Sequence, residues 1–335
     1  MLLNHILLFS QRFFSCIYEK SLFLKKIDGL IFLNIILVYV LSAFAMSDFI
    51  GYFAIFGAIL TVVKLLTKKG ERFTFSYADL FLLLYFLVVI VSVSGSTLFY
   101  FSLKGFCKTL TYLSFYVTLV HYLQNNRKSI KYIFILLAGI CFTESFIAMH
   151  QNFMSVSEIS SWQDISRLNP EEVMTRVYGS LKPYNPNLFG GYMLSVLPAI
   201  LTVIVLPLKN KHYKTALFGC IAFIVGAVAI FLTGCRGAYI GLFCEVLVLL
   251  LFTYKFLKPL YRKMFCILSS ALICIVGVVI ISIASIRTRV FSIFAMRNDS
   301  SNSFRFNVYN SCIDMFKDNW LLGIGVGNQN FREII

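Results

Sequence analysis

Stretches of about twenty apolar residues recur along this chain, separated by short polar loops, and that pattern leaves few folds open. A helix needs about 20 apolar residues to cross roughly 30 Å of hydrocarbon. Nine stretches meet this requirement, at about 29–46, 49–66, 78–95, 104–123, 131–150, 188–207, 214–233, 236–254 and 265–285. Composition points the same way: of 335 residues 59% are hydrophobic and only 13% charged, and 35 are Phe. A soluble domain is about one quarter charged and has no interior that could hide so many aromatic rings. A soluble enzyme, a nucleic-acid-binding module and a disordered chain are thereby excluded. The expected fold is an all-α polytopic membrane protein of about nine transmembrane helices, with a large outer loop at the C-terminal end.

The net charge of +15, from 30 Lys and Arg against 15 Asp and Glu, needs a location before it is given a function. It falls in alternate loops. Arg12, Lys20, Lys25 and Lys26 precede the first span; Lys68, Lys69 and Arg72 follow the second; Arg127, Lys128 and Lys131 follow the fourth; Lys209, Lys211 and Lys214 follow the sixth; Lys255, Lys258, Arg262 and Lys263 follow the eighth. The intervening short loops are poor: Ser47-Asp48 has no cation, the next has Lys104, and the last has Arg236. Cytoplasmic loops collect Lys and Arg, so the N-terminus is expected inside, and most of the surplus is topology rather than a nucleic-acid surface. In this frame 1–28 is a cytoplasmic segment, 29–150 holds five spans, 151–187 is an outer loop, 188–285 holds four more spans, and 286–335 begins a large outer loop. The chain stops in what looks like the middle of a domain, so it is expected to be a piece of a longer protein. The nine cysteines form no CxxC pair and lie mostly in apolar runs, as buried thiols do. No metal site is expected, since the outer loops lack an acidic triad or His cluster at ligand spacing. Met1–Ser10 is too short for a signal peptide and no small-residue cleavage site follows it.

Cations on the outer side run against the inside bias and call for a reason. Arg236 lies in Thr233-Gly-Cys-Arg-Gly-Ala238, a tight turn where Gly234 and Gly237 permit close backbone approach. Two readings stand open: an arginine satisfying lipid phosphate or helix-end carbonyls, or one gripping the phosphate of a lipid substrate, which guanidinium does bidentately. Lys104 and Lys108 share a face of the fourth span, where snorkelling to headgroups competes with ligand binding. Asn185-Pro186-Asn187 can turn and cap the sixth span, which leaves the nearby Arg176 and Lys182 unexplained. Glu144 and Glu245 lie within spans five and eight. An intramembrane carboxyl is either a neutral, hydrogen-bonded member of the bundle or a site of proton coupling or general-base chemistry. His150, at the outer end of span five, reads as interfacial packing. Arg287, Arg289, Arg297 and Arg305 precede Gly323-Ile-Gly-Val-Gly-Asn328, whose glycines lack the βαβ context of a dinucleotide loop.

Four segments together resemble the O-antigen ligase and polymerase superfamily: Arg176-Val-Tyr-Gly with Asn185-Pro-Asn-Leu-Phe-Gly-Gly-Tyr192, then Thr233-Gly-Cys-Arg-Gly-Ala-Tyr-Ile-Gly241, then Trp320-Leu-Leu-Gly-Ile-Gly-Val-Gly-Asn328. Within it, Trp162-Gln-Asp164 and Ser102-Leu-Lys-Gly-Phe-Cys-Lys108 with the Tyr112 region look most like the bicarbonate-transporter subgroup named from cyanobacteria. The resemblance implies a bacterial inner-membrane protein that takes a glycan from an undecaprenyl-pyrophosphate carrier at the outer face. Its outer arginines would bind the pyrophosphate: Arg236 matches one such position and Arg176 another, with Lys108 and Lys182 as further cations on that side. Cys235 stands where the family usually has Ser. The family's loop histidine would lie beyond residue 335, so the resemblance assigns no catalytic base.

Two functions therefore follow as expectations. One is an outer-face glycosyltransferase, inverting at the anomeric carbon with pyrophosphate as leaving group. The other is a bicarbonate or small-anion transporter, against which no internal repeat is visible and Glu245 has the wrong sign for an anion site. The expected partners are a polyprenyl-pyrophosphate-linked glycan and membrane lipid, with no nucleic acid and no cofactor; the sugar, the acceptor and the oligomeric state are not legible.

Overall fold

The computed structural model describes residues 2–45, 47–154, 176–294 and 300–334. These residues form fourteen α-helices and no strand. Eight of the helices are long and apolar enough to cross a membrane. In chain order the fourteen helices are α1 (Leu2–Lys20), α2 (Leu22–Lys25), α3 (Ile27–Phe44), α4 (Ser47–Thr67), α5 (Tyr77–Ser94), α6 (Phe99–Asn125), α7 (Ile130–Asn152), α8 (Pro186–Lys209), α9 (Tyr213–Leu232), α10 (Arg236–Phe256), α11 (Pro259–Ser282), α12 (Ala284–Phe291), α13 (Ser300–Asp318) and α14 (Asn328–Ile334).

Each of the nine expected spans is a helix, α3 to α11. The exception in character is α6, which begins five residues before the apolar stretch and carries Lys104, Lys108, His121 and several hydroxyls, so it is longer and more polar than its neighbours. α11 also starts early, because Pro259 occupies its first turn, where the missing N–H costs nothing. The segment 1–28 holds α1, a helix without a membrane-length apolar run. The segment 286–335 contains helices of its own.

Two compact units are present. The first comprises Met1–Ile130 with Ser300–Ile335. Here α4 packs between α3 and α6. The approach is close at Gly57, where a Cβ would fall 2.4 Å from Asn34 Oδ1 and 3.2 Å from Thr118 Cγ2. Small residues of this kind let membrane helices approach. At the end of α4, Lys64, only 1% exposed, pairs with Asp28 at 2.7 Å and Glu71 at 3.1 Å. Lys68 pairs with the same two acids at 2.8 and 3.1 Å. Burial lowers the Lys68 pKa, but hydrogen bonds and charge from Asp28 and Glu71 outweigh it and push the value up to about 12. Its charge, and the stability that depends on it, is thus intact below the ordinary 10.5 and lost only as pH rises through about 12.

The glycine run near the end of the first unit is docked on the α5–α6 connection. Gly323, Gly325 and Gly327 all have positive φ, from 70° to 119°. At Gly325 a Cβ would lie within 2.5 Å of Ser96 Oγ, Ser102 Oγ and Asn330 Nδ2, and the Val326 carbonyl faces Gly105. Ser102 donates to Ser96 Oγ at 2.6 Å, and the fully buried Asn330 donates to Ser102 Oγ. The run is a packing device rather than a phosphate cradle.

The second unit, Lys131–Asp299, has its core between α7, α8, α9 and α10, built on Cys141, Phe189, Met193, Leu197, Ala222 and Ala238. α8 and α9 approach closely at Gly219, whose Cβ would meet the Val203 backbone at 3.2 Å. α11 buries none of its residues.

These contacts generate a contrast. Gly57→Val should lower the detergent-solubilised melting temperature, at a cost of about 1–3 kcal/mol for overpacking. Gly29→Ala, at a helical site with nothing within 4 Å, should leave the melting temperature unchanged or raise it. Differential scanning fluorimetry of the two variants checks the pair.

Candidate functional site

The second unit brings Arg176, Asn187 and Arg236 onto one turn. The chain leaves α9 through Thr233, whose hydroxyl donates to the Ile230 carbonyl at 2.7 Å and accepts from the Cys235 N–H at 3.0 Å. Gly234 takes φ +61°, which the missing Cβ permits, and Arg236 then opens α10. Close approach is needed opposite this turn, at Gly190 of α8, where a Cβ would fall 3.1–3.3 Å from Ala238, Cys235 and Thr233. Gly237 does not serve the close approach expected of it, because it borders open space.

Both arginines are buried, with 7% exposure each. Arg176 donates from Nε to the Thr233 carbonyl at 2.9 Å and from Nη2 to Asn187 Oδ1 at 2.8 Å. Its backbone continues the contact, since the Val177 N–H donates to the Leu232 carbonyl at 3.2 Å. Arg236 donates from Nη1 to the Ser292 carbonyl at 3.2 Å and also approaches the Ser292 hydroxyl. The oxygens in these contacts are neutral and orient the guanidiniums. The positive end of the α10 dipole adds to the field at the turn. Such a turn suits an anion with several oxygens, a phosphate above all.

The two asparagines divide the work. Asn185 caps α8, its Oδ1 accepting from the Asn187 N–H at 2.8 Å, ahead of Pro186 in the first helical turn. Asn187 uses its own Oδ1 to hold Arg176. The segment behind Arg176 is fixed to α7 by two side chains. Gln151 accepts from the Tyr178 and Gly179 N–H groups at 3.0 Å each and donates to the Gly179 carbonyl at 2.8 Å. The fully buried Glu144 accepts from the Ser180 N–H at 2.9 Å and from the Ser180 hydroxyl. Glu144 is therefore a hydrogen-bonded member of the bundle that shapes the approach of Arg176.

The other expected residues lie elsewhere. Glu245 is half-buried in an apolar cavity of about 300 Å³ lined by Pro198, Leu201, Phe223, Cys244, Val248 and Leu249. Lys182 is exposed beside the Arg176 segment, and Lys108 is exposed on α6 in the first unit. Lys104 lies over the Tyr100 ring at 4.5 Å. Arg287 donates to the Ile281 carbonyl at 2.9 Å, the end of α11. Trp162, Gln163, Asp164, Arg297 and the Arg289 side chain are outside the described residues. Gln151 and Ser292 have no motif around them, and only the fold brings Gln151 to the Arg176 segment and Ser292 to Arg236.

Loss of the Glu144 anchor should loosen this segment. Glu144→Leu leaves the Ser180 N–H and hydroxyl without their acceptor, at about 1–3 kcal/mol per buried group. Faster limited proteolysis between Arg176 and Tyr184, relative to the unsubstituted chain, is the expected result.

Residues 221–335 match the family model described as O-Antigen ligase. Nothing among the curated proteins or the solved structures matches the chain. The matched segment takes in most of α9, the Thr233–Arg236 turn and every later helix. It does not single out the bicarbonate-transporter subgroup. Through residues 221–335, this multi-pass helical membrane protein is similar to the O-antigen ligase family.

Proposed function

We propose that the protein transfers or polymerises a glycan from an undecaprenyl-pyrophosphate-linked donor at the outer face of the bacterial inner membrane. The observation that carries this reading is the pair of buried arginines anchored on one turn at the head of α10. Arg236 and Arg176 bind the pyrophosphate oxygens of the donor. As the acceptor hydroxyl attacks the anomeric carbon, the bond from that carbon to the phosphate oxygen breaks, and negative charge grows on the leaving pyrophosphate. Guanidiniums already oriented by Thr233, Asn187 and Ser292 stabilise that charge without reorganising, which is where preorganised electrostatics contributes most. The hydroxyl proton passes to a base that no residue of this chain is assigned to supply.

The alternation of Lys-rich and Lys-poor loops supports an N-terminus in the cytoplasm and a Thr233–Arg236 turn outside. The Glu245 cavity does not favour anion transport: its walls are apolar, and its one ionisable group repels bicarbonate.

Two measurements test the reading. Arg236→Ala should cut glycan transfer in membrane vesicles by about 10²–10³-fold, the usual effect of removing one preorganised donor. Arg236→Lys should recover only part of the activity, because the charge returns without the bidentate fork. Unchanged transfer in a normally inserted Arg236→Ala protein would sink the proposal. Alkaline phosphatase fused after Tyr184 should be active and the same fusion after Lys258 inactive; the reverse pattern would overturn the orientation.

A further inference from the structure

The N-terminal helix α1 has three faces where a packed helix needs two. At 3.6 residues per turn, Leu7, Gln11 and Ser15 fall on one side together with Asn4 and Tyr18. Leu7, Gln11 and Ser15 are buried. His5, Arg12 and Glu19 recur every seven residues, two turns apart, and form a second, exposed stripe. Ile6, Phe9, Phe13 and Ile17 make the third, exposed by 55, 64, 66 and 53%. The Phe9 and Phe13 rings touch each other, with centroids 5.0 Å apart.

The polar side chains of the inner face are engaged by the protein itself. Gln11 donates to the Leu65 and Glu71 carbonyls at 2.8 and 2.9 Å and accepts from the Gly70 N–H at 3.2 Å. Asn4 exchanges hydrogen bonds with the Phe73 backbone in both directions, at 3.3 and 3.2 Å. On the exposed stripe, Glu19 lies 3.6 Å from Lys69. From residue 4 to residue 19 α1 extends about 22 Å, yet all these anchors fall between Leu65 and Phe73, the last turn of α4 and the loop beyond it. α1 also packs on α4 itself, but its side-chain hydrogen bonds to this part of the chain all fall at or beyond the last turn of α4. α4 crosses the membrane and ends at Thr67, so its end marks a membrane surface, and α1 is tied there.

We propose that α1 is an interfacial lipid-binding helix. It lies in the plane of the bilayer at the end of α4, with Ile6, Phe9, Phe13 and Ile17 in the boundary between headgroups and acyl chains. A spanning helix would not carry His5, Arg12 and Glu19 as a stripe along its whole length, whereas an interfacial one keeps such a stripe in water. The exposed cations Arg12, Lys20, Lys25 and Lys26 make anionic phospholipid the matching headgroup.

The test places a single tryptophan in the full chain, in a background with Trp162→Phe and Trp320→Phe, reconstituted in vesicles of phosphatidylcholine and phosphatidylglycerol. Ile6→Trp, Phe13→Trp and Ile17→Trp replace exposed side chains, so the fold is kept. Lipids brominated near the headgroup should quench all three more than lipids brominated near the chain ends, with the same ratio at each position. A depth that grows steadily from residue 6 to residue 17, by about 16 Å, would identify a spanning helix and overturn the proposal. So would tryptophans that neither lipid quenches, which would mean that water or protein covers this face.

Discussion

Hydrocarbon offers no hydrogen-bond partner, so a polar group carried into the apolar bulk of this chain must be answered from within the chain. Lys64 is the clearest case. An ammonium with 1% exposure would lose several kcal/mol of hydration. Asp28 and Glu71 meet it, and Lys68 brings the group to two cations and two anions, so no net charge is enclosed. The charge arithmetic explains why α3, α4 and the loop after α4 meet at one place. Glu144 follows the same rule with different means: its oxygens accept from the backbone and hydroxyl of Ser180, and the segment that carries Arg176 is shaped as a result.

The arginine turn differs in kind. Backbone carbonyls, an amide and a hydroxyl are among the groups that orient Arg176 and Arg236, where carboxylates hold Lys64.

Much of this was legible in the sequence, because membrane-length apolar runs report the hydrocarbon thickness directly. The nine runs lie within α3 to α11 to within a few residues. α6 was the hardest to bound, since its lysines and threonines dilute the apolar signal just where the glycine run docks on it. α1 escaped notice for a related reason: its apolar stripe covers one side of a helix, and no stretch of it is apolar all round. Arg236 and Arg176 stood out because they are cations in cation-poor loops. Lys64 did not stand out, since its partner Asp28 is 36 residues away in sequence and near only in the fold, and Glu71 lies beyond the end of its helix. Gln151 and Ser292 are ordinary residues, and only three-dimensional placement brings Gln151 to the Arg176 segment and Ser292 to Arg236.

The docking of Asn330 on Ser102 joins residues 228 positions apart. A ribosome adding about 5–20 residues per second takes on the order of 10–45 s to travel that distance. Throughout that interval Gly105 and Ser102 are already made, but the segment that covers them is not. The first unit thus begins assembly before the second and is completed after it, and until then α6 presents an open hydroxyl-lined notch to whatever surrounds the nascent chain.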